Sequence, residues 1–110
     1  MSSKLLIIIA TGEKEKAQTG MMYARNAIKN RWLDDIKIIF FGPSERIVTK
    51  DKDLSRQVQE IAQLSECVAC KYIADNEGLS DHLANLGLKI EYVGSIISNL
   101  IKNEYVPMVW

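Results

Sequence analysis

Three consecutive isoleucines, Ile7-Ile8-Ile9, inside the apolar stretch Leu5–Ala10 constrain this fold more than any other feature. A run without polar alternation leaves no face for water. It is expected as a strand covered on both sides, as in a parallel sheet. Thr11-Gly12 ends it. Ala17, Met21, Ala24, Ile28 and Trp32 then recur at steps of four, three, four and four. That spacing predicts one apolar helix face from about Lys14 to Arg31. Gly20 within it costs about 1 kcal/mol against alanine and points to close packing on the sheet.

The same alternation of strand and helix continues along the chain. Ile36 to Phe41 is a second apolar run, closed by Gly42-Pro43. Ser44 to Lys52 is ambiguous, since Ile47-Val48 fits either a strand or a packed loop. Leu54, Val58, Ile61 and Ala62 predict a helix from about Asp53, with Asp53 as its cap. Leu64 to Ala69 is expected as a third strand and Lys71 to Glu77 as a short helix stopped by a left-handed Gly78. Ser80 is expected to cap a helix over Asp81–Leu86, ended by Gly87. Leu88 to Val93 is a fourth strand, Ile96 to Lys102 a helix, and Tyr105 to Trp110 a fifth strand. Pro107 has no ladder donor, which places this last strand at an edge. Short crossovers of this kind build parallel sheets by right-handed connections. The expected fold is one α/β domain over residues 1–110: a doubly wound five-stranded parallel sheet, order 2-1-3-4-5, with helices on both faces. Ligands of such sheets sit beyond the strand carboxyl ends, where the winding reverses. In the expected order that point lies between the first and third strands, at Thr11-Gly12 and the Cys67–Cys70 turn.

Charge and composition narrow the function classes. Fourteen basic and fourteen acidic residues cancel, so the expectation is no nucleic acid and no anionic membrane as partner. No segment approaches the ~20 apolar residues of a membrane span. The apolar block at the N-terminus runs directly into Gly12-Glu13-Lys14-Glu15-Lys16, unlike a signal peptide. A cytoplasmic protein is expected, and its two cysteines as thiols in a reducing compartment.

Those cysteines, Cys67 and Cys70, bracket the third strand-to-helix turn. Unpaired amides at a helix N-terminus favour a thiolate, and Lys71 adds positive potential. A thiolate there can accept sulfur, exchange disulfides or bind a soft metal. C-x-x-C spacing alone decides little. Three extended residues span about 10 Å, beyond the roughly 7 Å that a disulfide allows between alpha carbons. A zinc site lacks ligands, because His82 is the only histidine. No metal and no cofactor is therefore expected. Buried cysteines also often only pack. The residues alone thus leave three readings open: a nucleophile at Cys70, a Cys67/Cys70 thiol–disulfide pair, and a non-enzymatic oligomeric binding or scaffold protein with buried cysteines.

Several features occur together: the strand Leu5–Ala10 followed by Thr11, the first helix with Ala17, Ala24 and Ala27, and the second strand ending Phe40-Phe41-Gly42. Cys70 followed eight residues later by Gly78-Leu79, and Gly94 after the fourth strand, complete them. On these the chain resembles the DsrE/DsrF-like family, which includes subunits of sulfur-relay complexes. The resemblance implies a parallel α/β sheet, assembly with itself as a homotrimer or hexamer, and sulfur donor and acceptor proteins as partners. It assigns the sulfur-accepting role to Cys70, and leaves Cys67 as an added thiol of open role. The expected function is a persulfide carrier or sulfurtransferase, with Thr11, Gly12 and Lys71 supporting the pocket.

Overall fold

The computed structural model describes residues 2–110. Its elements are β1 (Lys4–Ile9), α1 (Lys14–Lys29), β2 (Asp35–Phe40), α2 (Ser44–Lys50), α3 (Lys52–Leu64), β3 (Cys67–Cys70), α4 (Lys71–Asn76), α5 (Ser80–Asn85), β4 (Lys89–Glu91), α6 (Val93–Lys102) and β5 (Val106–Val109). All five strands are parallel and form one sheet. The α/β class and the parallel sheet are as expected. Two of the four neighbour pairs differ. The strands run β4-β3-β2-β1-β5, so β1 lies between β2 and β5. The expected order 2-1-3-4-5 had β1 between β2 and β3, and β5 beside β4, where β5 in fact pairs with β1.

Connection handedness explains which helices lie where. From β1 the chain steps to β2, β3 and β4 in one direction, so right-handed crossovers put α1, α3 and α5 on one face. The large core cluster joins Leu5, Ile7, Ile9, Ile38 and Phe40 to Ala17, Met21, Ala24, Val58, Ile61 and Leu83 on that face. From β4 the chain returns past β1 to the far edge. The same handedness then carries α6 to the opposite face. There Leu6, Ile8, Ile39, Val68 and Cys70 meet Val93, Ile96, Ile97 and Leu100. Both faces of β1 are thereby buried, as the isoleucine run requires.

Gly20 has the packing role expected of it. A Cβ there would lie 2.6 Å from Ile9 Cδ1 and 2.7 Å from Trp110 Cγ, so α1 rests directly on β1 and the end of β5. Trp32 is not on the helix face: α1 stops at Lys29, Arg31 takes φ 52°, and the indole is 56% exposed against Tyr23. The ambiguous segment is helical, as α2. The cap of α3 is Asp51, whose carboxylate accepts from Leu54 N–H at 3.0 Å, and not Asp53. Helix α3 runs on to Leu64, so β3 begins only at Cys67. Gly78 and Gly87 take φ 68° and 100° at the ends of α4 and α5. Strand β5 is an edge, with Pro107 opposite Leu6.

Candidate functional site

Strand β3 is four residues long, and all four are buried. Side chains alternate across a strand, so positions three apart point to opposite faces. Cys67 points into the α1/α3 core and Cys70 into the α6 core. Both are free thiols. A bridge between them would have to pass through the sheet. Cys67 is 1% exposed. Among the described residues its one polar contact is a weak one from Sγ to the Ser65 carbonyl at 3.7 Å. Burial, with a smaller contribution from the Glu66 charge, pushes its thiol up to about 12. It is a packing residue in this fold.

Cys70 ends β3 and takes the N-cap position of α4, with φ −66° and ψ 119°. It is 4% exposed. Across β4 it is in register with Glu91. On its other side Phe41 follows directly after Phe40, the last paired residue of β2. Phe41 is 39% exposed, Tyr72 65% and Tyr92 61%. The thiol is therefore covered, but the residues around it carry aromatic surface open to water. Tyr72, Tyr92 and Glu91 were not singled out from the sequence, and Phe41 only as a strand end. The signal that could have found them is strand register, which only the sheet supplies.

Of the three expected supporting residues, Lys71 stands next to Cys70 as the first residue of α4, and Thr11 and Gly12 lie elsewhere. The Lys71 ammonium pairs with Asp75 at 2.9 Å and lies 6.0 Å above the Tyr92 ring. The hydrogen bond to Asp75 raises the Lys71 pKa. Asp75, which also accepts from Ser80 Oγ at 2.6 Å, is held below the usual carboxylate range. The lysine charge is thus compensated. Thr11 and Gly12 end β1, and β2 separates β1 from β3. They share no pocket with Cys70. Thr11 Oγ1 accepts from Glu13 N–H, and Gly12 packs on Pro43, beside a hollow of about 250 Å³ that Lys14 and Asp51 also line. The winding reverses between β1 and β5, where the Trp110 carbonyl accepts from the Ala10 and Thr11 amides at 2.7 and 3.1 Å. Those bonds tie the end of β5 to the end of β1 at the switch point.

Glu45 is a further residue that sequence reasoning missed. It is fully buried in the first turn of α2. One carboxylate oxygen accepts from Gly42 N–H at 3.1 Å, and the other has no partner. Burial pushes its pKa up to about 7. The Gly42 amide opposes the shift, and the charge of Glu77 adds to it. Glu77 itself is bound by Arg46 through both oxygens. Among the described residues there is no cluster of three or more side chains suited to hold a metal ion. No helix there is long and apolar enough to cross a membrane.

No family model matches the chain, and no curated protein does. Two solved structures are similar to it. A conserved protein of unknown function from Bacteroides thetaiotaomicron, BT1422, is 25% identical with a TM-score of 0.86, over 97% of this chain and 95% of that one. A protein of unknown function from Methanobacterium thermoautotrophicum, MTH1491, is 17% identical with a TM-score of 0.77, over 98% and 99%. They share the fold over its whole length.

Proposed function

We propose that this chain is a DsrE/DsrF-like protein and acts as a persulfide carrier or sulfurtransferase in a cytoplasmic sulfur relay, with Cys70 accepting the sulfur. One observation carries the reading. Cys70 ends an interior strand of a parallel sheet, at the start of a helix and beside exposed Tyr72 and Tyr92. This is the carboxyl-end rim of the sheet, two strands from the winding reversal between β1 and β5. In the step proposed, the Cys70 thiolate attacks the outer sulfur of a donor persulfide, R–S–SH. A new S–S bond forms to Cys70 as the donor S–S bond breaks. The donor leaves as a thiolate, which takes the proton that Cys70 lost. Nothing is oxidised overall. Because Cys70 is 4% exposed, side chains of its core cluster, Ile73 and Val93 among them, must move aside during transfer.

Donor and acceptor proteins are part of this proposal, as is self-association into a trimer or hexamer. Exposed Val106 and Val109 on the edge strand support the latter. A second reading, a non-enzymatic binding or scaffold protein, is favoured by the burial of both thiols. The placement of Cys67 and Cys70 on opposite faces weighs against a thiol–disulfide pair.

Intact-mass measurement after incubation with a sulfane-sulfur donor separates these readings. The expected result is a gain of one sulfur atom that dithiothreitol reverses and that Cys70→Ser abolishes while Cys67→Ala retains it. No gain, or a gain that survives Cys70→Ser, would sink the sulfur-carrier reading.

A further inference from the structure

We propose that the groove between α6 and the β2–β4 half of the sheet binds a small molecule with an apolar chain and a cationic end, and that Glu91 selects the charge. The proposal rests on the Cys70 reading only for the ligand's purpose, namely to bring an amine-bearing carrier alongside the thiol. The groove stands on coverage. Five strands about 4.8 Å apart make a sheet roughly 19 Å wide, and one helix is about 10 Å across. The opposite face carries α1, α3 and α5, whereas this face carries α6, with Ile73 of α4 and Tyr105 added to its cluster. Ile39 and Val68 are buried beneath α6, and the margin over β4 is left open, with Lys89 and Glu91 exposed. There the sheet and helix enclose a cavity of about 210 Å³, floored by Ile39 and Val68 and walled by Ile96 and Leu100. Glu91 lines its rim, in register with Cys70 on the next strand.

Charge decides what such a groove accepts. Around it Lys37 meets Asp35 at 3.7 Å, Lys89 meets Glu66 at 3.2 Å and Lys71 meets Asp75 at 2.9 Å. Each pair cancels. Among the described residues Glu91 has no such partner, so the β4 margin of this face carries one surplus negative charge, in register with Cys70. An apolar chain fills the floor, and an ammonium group at its end neutralises Glu91. An anionic end at the same place is repelled. At a few ångströms a unit charge in a partly exposed site is worth tenfold or more in affinity.

Hexylammonium and hexanoate, matched in chain and opposite in charge, test this by methyl NMR titration of the full chain. Hexylammonium is expected to shift the Val68, Ile96 and Leu100 methyl signals. Glu91→Gln is expected to weaken that binding about tenfold, and hexanoate to leave the signals in place. Equal shifts with both probes, no shift with either, or a hexylammonium affinity unchanged in Glu91→Gln would overturn the proposal. The outcome is independent of sulfur transfer. Binding without sulfur uptake removes the Cys70 reading alone, and uptake without binding removes the groove alone.

Discussion

Three side chains separate chemistry from packing in this protein. Cys67 and Cys70 are both buried, yet only Cys70 stands at a strand end. Iodoacetamide at pH 8 is expected to leave Cys67 unmodified in the native state, because burial holds its thiol up at about 12. Peptide mass mapping reads this directly, and Cys67 alkylation at the rate of free cysteine would contradict it. Glu45 makes a different prediction. Its carboxyl has an ordinary value of 4.5 and is raised to about 7 in the fold. A raised carboxyl binds its proton more tightly when folded. Its favourable contribution is complete below about pH 4.5 and is lost as pH rises through 7. Wild-type stability is therefore expected to fall by about 2 kcal/mol between pH 5.5 and 8 through this group. Glu45→Gln should flatten that slope in urea titrations at the two pH values. An unchanged slope would show that Glu45 does not titrate as its burial implies.

At the scale of elements, α1 and β5 are held together through a missing side chain. Gly20→Ala gains about 1 kcal/mol of helix propensity. It also drives a methyl group to within 2.7 Å of the Trp110 ring and 2.6 Å of Ile9. The Ile9 terminal methyl can turn away. The indole cannot, because the Trp110 backbone is bonded to Ile8, Ala10 and Thr11. Overpacking of this kind costs about 1–3 kcal/mol, so net destabilisation is expected, with α1 shifted off β5. Thermal unfolding and Trp110 fluorescence would report it, and a variant more stable than wild type would refute it. Pro107 in β5 is also legible as chemistry. The Trp110 amide bonds inward to Ile8. By strand alternation the Pro107 position faces outward, where an amide would otherwise invite another strand.

For the whole molecule, the decisive property is unequal cover. Three main helices lie on one face of the sheet and one on the other. The edge beside β1 presents Val106 and Val109, each 64% exposed, with Met22 and Ile101 exposed on neighbouring helices. The proposed self-association predicts that Val109→Lys lowers the molar mass seen by light scattering toward the 12.4 kDa chain, with unfolding unchanged. The site is exposed, so the fold has no need of that valine. An unaltered mass would place the subunit contact elsewhere.

The sequence by itself determined the local states. The isoleucine run, the spacing of Ala17, Met21 and Ala24, the glycine stops at Gly78 and Gly87 and the edge proline are all short-range signals, and each element formed near where they place it. It also sufficed to put Cys70 at a strand end. Only the tertiary structure decided which strands are neighbours. A crossover of the same length and hand reaches an adjacent strand or passes over one, and periodicity does not record which. The strand order separates Thr11 and Gly12 from Cys70 by the width of β2 and brings Glu91 beside it. Burial of Glu45 was equally illegible, because a glutamate in a polar helical segment is normally solvated until neighbouring helices close over it. The face each cysteine occupies followed only once β3 was shown to start at Cys67, which sends the two thiols into separate cores.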